Sequence, residues 1–363
     1  MATESFVLTV AEVIEETQDA KSVVFEVPSE LQETFAYTPG QFLTVAVPSD
    51  QTGLAARCYS LSSSPHSGRH QITVKRTVDG YASNWICDNL KAGDTLRLLP
   101  PGGIFTPKDI DADFLLFGGG SGITPVISIA RTALEKGTGK VVLFYANRDE
   151  SSVIFAAELA ALAGEYADRF TVVHWLESVQ GLPSEEGLQL FASYFGTYTA
   201  FCCGPAPFMK AVATALKNLE FPRERRHQEK FVSLGGNPFG DVEEVLAAQA
   251  ILKEVDDGDD EGDAPESAFA GPVSLEVELD GQKHTFDDWR GEQVLLEFLE
   301  SKGVHAPFSC REGNCSSCAC VVLEGDLSMK HNDVLDADDL ADGIRLTCQG
   351  LPLTETLKIS YNG

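Results

Sequence analysis

A chain of 363 residues exceeds one ordinary core and points to two or three domains. Its formal charge of −28 repels polyanions, so nucleic acid and anionic lipid are excluded as partners, while a basic protein surface remains open. The acidic N-terminus, residues 1–22, lacks the basic flank and apolar run of a signal peptide, and no stretch of 18 apolar residues occurs, so a cytoplasmic protein with no membrane contact is expected, its nine cysteines reduced.

The first 110 or so residues read as short strands at 6–13, 22–27, 41–47, 71–78 and 95–99, separated by Gly, Pro and Asp. That spacing predicts a small antiparallel barrel. Following a strand, Arg57-Cys58-Tyr59-Ser60-Leu61-Ser62 offers a guanidinium for phosphate, an aromatic face and a hydroxyl, which suits a flavin but arises easily by chance. Lys75 and Arg76 end a strand, and Gly80-Tyr81-Ala82-Ser83-Asn84-Trp85 opens a helix, either as a pyrophosphate cradle or as an ordinary turn with an N-cap.

From residue 113 the pattern changes. An apolar run at 114–117 leads through Gly118-Gly119-Gly120-Ser121-Gly122-Ile123-Thr124-Pro125 into a helix at 125–136, the context in which a glycine-rich loop holds phosphate. Strands at 141–146, 170–175 and 198–203 alternate with helices at 152–162 and 207–219, which argues for a doubly wound parallel sheet. Between 233 and 271 periodicity lapses into an acidic, Gly-interrupted linker that cannot bury enough apolar surface to order itself. A segment of about 14 residues at 253–266 would then span about 20 Å, enough to let a tethered domain change partners.

A hairpin at 273–279 and 283–286 around Asp280-Gly281 and a helix at 293–302 precede Cys310-Arg311-Glu312-Gly313-Asn314-Cys315-Ser316-Ser317-Cys318. With Cys348 after 29 more residues, this is the spacing of a plant-type [2Fe-2S] ligand set, Cys310, Cys315, Cys318 and Cys348. Structural zinc prefers two close ligand pairs, and here the fourth cysteine has no near partner. Cys58, Cys87, Cys202 and Cys320 fit no ligand spacing and read as structural.

Arg57 to Ser60, Gly80 to Ser83, Gly120-x-Gly122-x-x-Pro125, Cys203-Gly204-Pro205 and Gln228-Glu229-Lys230-Phe231 occur in the order of a ferredoxin-NADP reductase-type module, followed by a plant-type ferredoxin. Over nearly the whole chain the sequence resembles the reductase components of 3-ketosteroid 9α-hydroxylases, notably in Tyr145-Ala146-Asn147-Arg148-Asp149 and His174-Trp175-Leu176-Glu177-Ser178. The resemblance implies a FAD-binding β-barrel at 1–111, an NAD(P)-binding domain at 112–232, a linker at 233–271 and an α+β, β-grasp [2Fe-2S] domain at 272–363.

It implies further that Arg57, Tyr59, Ser60, Lys75, Arg76, Gly80, Ala82 and Ser83 contact FAD, and that Gly120, Gly122, Thr124, Gly204 and Pro205 contact the nicotinamide nucleotide. Ser60, Cys203 and Phe231 would lie at the reacting rings, although by residue type alone Cys203 reads as a buried thiol and Phe231 as a core aromatic. Hydride moves two electrons and the cluster accepts one, so a flavin is required between them. The expected path runs from NADH through FAD and [2Fe-2S] to a Rieske-type oxygenase acting on 3-ketosteroids in steroid (cholesterol) catabolism. An aromatic or phenylacetyl-CoA-type oxygenase is the alternative partner, and an iron-sulfur carrier or sensor without flavin the alternative class. Around 2′-phosphate recognition the residues conflict, since Arg148, Ser151 and Ser152 attract it while Asp149 and Glu150 repel it; the resemblance favours NADH.

Overall fold

The computed structural model describes residues 5–49, 53–232, 234, 238–239, 269, 271–279 and 281–361. Six antiparallel strands, β1 (Phe6–Thr17), β2 (Ala20–Glu26), β3 (Phe42–Ser49), β4 (Gly53–Ser60), β5 (His70–Lys75) and β6 (Thr95–Leu98), lie in the order β4-β3-β6-β1-β2-β5. A bridge from Leu61 to Ile72, with the Ser62 amide donating to the Gln71 carbonyl at 2.7 Å, joins the two ends into a barrel. Alternation drives this closure: Leu8, Val10, Val23, Phe25, Leu43, Val45 and Leu98 fill the interior. Helix α1 (Tyr81–Asn89) adds Ala82, Ile86 and Cys87 to that core. The reading of Arg57 to Ser60 as a segment after a strand is corrected, because these residues are the last half of β4, with Cys58 opposite Thr44 and Ser60 opposite Phe42.

The next five strands are parallel: β7 (Phe114–Gly119), β8 (Val141–Asn147), β9 (Phe170–Leu176), β10 (Thr199–Cys203) and β11 (Arg226–Glu229), in the order β11-β10-β7-β8-β9. Successive residues of β7 face opposite sides. Phe114 and Leu116 pack under α2 (Ile123–Lys136) and α3 (Ala156–Glu165), while Leu115 and Phe117 pack with the other cluster, which holds α5 (Glu185–Ala192) and α6 (Ala206–Asn218). A one-turn helix, α4 (Glu177–Gln180), follows β9. The sheet turns back between β7 and β10, which brings the glycine loop beside Cys203 and Gly204 at the carboxyl ends of the strands.

Three elements here, α4, α5 and β11, are absent from the sequence reading. Strand β11, Arg-His-Gln-Glu, is polar and shows no apolar period, and α5 is a short helix started by Ser184, whose hydroxyl accepts from the Gly187 amide at 3.1 Å. Helix α3 begins four residues later than the expected 152, since Asp149 and Ser152 form a capping box on a preceding 3-10 turn and Phe155 adopts a left-handed φ of 62°.

The third unit has a mixed sheet. Strands β12 (Val273–Leu279), β13 (Gln282–Trp289), β14 (Ala319–Glu324), β16 (Ile344–Leu346) and β18 (Thr356–Ser360) take the order β13-β12-β18-β14-β16, with β12 and β18 parallel. A small pair, β15 (Leu327–Met329) and β17 (Gly350–Pro352), lies apart from it. Helix α7 (Leu295–Ser301) buries Leu295, Leu296, Phe298 and Leu299 in the core around Trp289, and α8 (Ala337–Ala341) is capped by Asp336. This is the expected β-grasp arrangement of sheet and helix. The acidic linker at 253–266 lies outside the described residues. Among the described residues no helix is long and apolar enough to cross a membrane.

Candidate functional site

Cys310, Cys315, Cys318 and Cys348 are all buried, three on one loop and the fourth after β16. Left-handed backbone at Arg311, Gly313 and Ser316 coils the loop so that amides face inward: those of Glu312 and Asn314 donate to Cys310 Sγ, and that of Cys310 to Cys315 Sγ, each at 3.4 Å. Hydrogen bonds with the Cys315 and Cys348 thiols, joined by those two amides, hold the Cys310 thiol well below its ordinary range. At Gly313 a Cβ would lie 2.6 Å from the His331 carbonyl oxygen, so the turn requires glycine.

Arg311, 4% exposed, braces the loop: it pairs with Glu300, stacks over the Phe308 ring at 4.0 Å, and its carbonyl accepts from Gln349 Nε2 at 2.8 Å. Among the described residues no group of three or more His, Cys, Asp or Glu side chains is arranged to hold a metal ion. A [2Fe-2S] cluster asks for another geometry, four thiolates shared in pairs between two irons, and this donor set with its inward amides fits it.

The cluster loop packs on the barrel. Cys310 and Cys315 share an apolar cluster with Phe42, Ala46, Ala56 and Leu99, Thr44 Oγ1 lies 2.5 Å from Ser309 Oγ, and a Cβ on Gly102 would collide with Ser317. A cavity of about 1080 Å³ opens along this seam, with Cys58, Ser60, Glu229 and Phe231 on its wall and Cys315 and Ser316 beside them. Phe231, expected as either a flavin cover or a core aromatic, is 51% exposed on this wall and is no core residue. Ser60 is buried, and its hydroxyl donates to Glu229 Oε2 at 3.4 Å.

Burial pushes the Glu229 carboxyl up to about 8, so it carries a proton at neutral pH. Cys203 is fully buried, its thiol raised well above the ordinary range by burial and then by the Glu229 charge, and it is not on the cavity wall. Burial drives His227 down to about 4, leaving a neutral imidazole stacked on Phe201 at 4.4 Å.

The remaining expected contacts are more scattered. Arg57 Nη1 donates to the carbonyls of Ala56 and Leu234, at 2.6 and 3.0 Å. Tyr59 is partly buried, and its hydroxyl is raised by desolvation. Lys75 reaches Asp19 at 3.7 Å and Arg76 reaches Asp88 at 2.6 Å. At the start of α1, Ser83 Oγ accepts from the Thr77 amide at 3.1 Å, which makes it a local turn partner, with Gly80 at the N-cap and Ala82 buried in the barrel core.

In the glycine loop, Gly120 has a φ of +52° with open space where a Cβ would stand, and Gly122 could carry no Cβ, which would lie 2.2 Å from the Cys203 carbonyl oxygen. Gly119 approaches Gly204 closely enough that a Cβ on it would stand 2.9 Å from Pro205 Cδ. Thr124 Oγ1 is tied to the Ser121 carbonyl at 3.1 Å. Open space at Gly120 above the N-terminus of α2 is what a phosphate cradle needs, and the loop fits a nucleotide.

Three family matches follow the three units: residues 7–106 match the oxidoreductase FAD-binding domain, 116–214 the oxidoreductase NAD-binding domain and 277–353 the 2Fe-2S iron-sulfur cluster binding domain. The chain is 54% identical to the 3-ketosteroid-9-alpha-monooxygenase ferredoxin reductase component of Rhodococcus rhodochrous, over 98% of this chain and 97% of that one. The chain belongs to the 3-ketosteroid-9-alpha-monooxygenase ferredoxin reductase component family. Its counterpart from Mycolicibacterium smegmatis is 50% identical, over 98% of this chain and 96% of that one. Phthalate dioxygenase reductase has the same fold, with a TM-score of 0.54 at 23% identity and coverage of 98% of both chains.

The reductase is therefore an NAD(P)H-dependent oxidoreductase with FAD-binding, NAD-binding and [2Fe-2S] domains. Its sequence reading missed Glu229 as a site residue although the motif Gln228 to Phe231 contains it; only the fold shows that β11 delivers this carboxyl to Ser60. Arg311 stands between Cys310 and Cys315 in the motif, and no signal in the sequence pairs it with Glu300.

Proposed function

We propose that the reductase takes electrons from NADH beside Ser60, Glu229 and Phe231 on the wall of the large cavity and releases them from the Cys310–Cys348 centre to a Rieske-type oxygenase that 9α-hydroxylates 3-ketosteroids. The observation that carries this reading is one cavity lined both by Ser60, Glu229 and Phe231 and by Cys315. FAD, when bound, supplies the conversion of a two-electron hydride into single electrons. Arg57, Tyr59 and Ser60 are the residues we assign to hold it, with Lys75, Arg76, Gly80, Ala82 and Ser83 around its phosphates and adenosine.

Gly120, Gly122, Thr124, Gly204 and Pro205 are assigned to the nicotinamide nucleotide, and Cys203 packs the floor beneath that loop. Glu229 holds a proton at its carboxyl, and the Ser60 hydroxyl beside it orients whatever ring nitrogen meets it. Phe231, exposed on the wall, shields the site from water until a nucleotide displaces it. The names of the relatives support the oxygenase as acceptor and the steroid as its substrate.

The test is reconstitution. With NADH and the purified chain, a 3-ketosteroid oxygenase component should form the 9α-hydroxylated product. Failure with every Rieske-type oxygenase, while dye reduction by NADH persists, overturns the partner and leaves the reductase.

A further inference from the structure

Outside the carboxyl ends of β8 and β9 lies a second cavity of about 480 Å³, lined by Asp149, Glu150, Ser151, Leu176, Ser178 and Val179. An open α/β sheet reads the ribose of an adenine nucleotide at this edge, and an arginine there accommodates a 2′-phosphate. Arg148 has the right place in the chain, since its carbonyl accepts from the Ser178 amide on the cavity wall at 2.8 Å. Its side chain is nevertheless not among the lining residues. It crosses to the barrel, where Nη2 meets Asp19 Oδ2 at 3.1 Å in the turn between β1 and β2.

Asp19 is well placed to keep it there. Its Oδ1 accepts from the Thr17 hydroxyl at 2.8 Å, and its carbonyl accepts from the Arg76 amide at 2.7 Å, so the turn is fixed to the barrel from both sides. The same carboxylate draws Lys75 to 3.7 Å, engaging a second cation. Asp149 is spent locally, taking Ser151 Oγ at 2.7 Å and the Ser152 amide at 3.0 Å, and Glu150 is exposed. The cavity thus faces a nucleotide with carboxylates and hydroxyls while the arginine that would neutralise a 2′-phosphate is occupied elsewhere.

We propose that Asp19, a residue of the flavin barrel, sets the preference for NADH over NADPH by holding Arg148 away from the 2′ position. The proposal rests on reading the β8–β9 edge as the nucleotide site. Arg148 is 66% exposed and its pair with Asp19 is a weak surface contact, so freeing it changes 2′-phosphate affinity by about three- to fivefold.

The experiment is calorimetric titration of the full holoprotein with 2′,5′-ADP and with 5′-AMP. Asp19→Asn should bind 2′,5′-ADP about three- to fivefold more tightly than wild type with 5′-AMP unchanged, and kcat/KM for NADPH should rise by a similar factor. Adding Arg148→Ala should cancel the gain, whereas Arg148→Ala alone should leave both affinities at the wild-type value. That single variant serves even if Asp19→Asn folds poorly. Unchanged 2′,5′-ADP affinity in Asp19→Asn, a gain that survives Arg148→Ala, or a loss of wild-type 2′,5′-ADP affinity on Arg148→Ala alone overturns the role of Asp19. If wild-type protein binds no 5′-AMP and NADH does not compete, the nucleotide-site reading itself falls.

Discussion

Replacing Arg223 by glutamine perturbs the contact that holds the cluster domain against the nucleotide domain. Arg223 pairs with Asp339, and its Nε lies 3.4 Å from Asp342; nearby, Lys217 and Arg226 reach Asp338 at 3.0 and 3.7 Å. These three acids sit on or just after α8, so one short helix presents a negative face to a basic one. Arg223 and Asp339 are 26% and 22% exposed, between the surface regime of about 0.2–1 kcal/mol and the buried regime, where breaking a pair costs about 3–5 kcal/mol. Desolvation pushes the Asp339 carboxyl up, and the Arg223 guanidinium acts against that rise.

A loss of about 1–2 kcal/mol follows, which shifts the balance between docked and released cluster domain by about tenfold. Stopped-flow absorbance after mixing with NADH should show cluster reduction slowed by up to about tenfold at low ionic strength. Salt should slow the wild type toward the variant, because screening shortens from about 30 Å to about 3 Å between about 0.01 and about 1 M. Wild-type rates and wild-type salt dependence in Arg223→Gln would refute the reasoning. Exchanging the charges, Arg223→Glu with Asp339→Lys, should recover part of the rate.

Cys315→Ser should abolish the visible absorbance of the cluster while NADH oxidation with a two-electron dye persists, and loss of dye reduction with flavin still bound would show that the two centres are interdependent. Glu229→Gln should remove a pH effect on stability: the folded carboxyl titrates near 8 against an ordinary 4.5, so its stabilising protonation is complete below 4.5 and lost as pH rises through 8. Thermal unfolding of wild type and variant should therefore diverge as pH climbs through that window, and parallel curves would contradict it. Gly122→Ala should cost about 1–3 kcal/mol and raise KM for NADH, since its methyl would meet the Cys203 carbonyl oxygen at 2.2 Å, and a wild-type melting temperature would argue against the packing described.

Local chemistry was legible in the sequence wherever one short segment carries it. The C-x4-C-x2-C loop with Cys348, the glycine loop between an apolar strand and a helix, and the alternation of the barrel strands each have a period or spacing that contiguous residues express. What the sequence hid depends on pairs distant along the chain. Glu229 gains its proton because β11, a polar edge strand with no periodic signature, carries it into a half-buried, desolvated place beside Ser60, 169 residues away. Arg148 loses its reach toward the nucleotide because Asp19, 129 residues earlier, meets it across two domains. The α8 acids read only as surface charge until the fold set them against Arg223 and Lys217. Hydrophobic periodicity records which face of an element is buried. Protonation, ion pairing and desolvation are set by what the other elements bring to that face, and only the tertiary structure decides that.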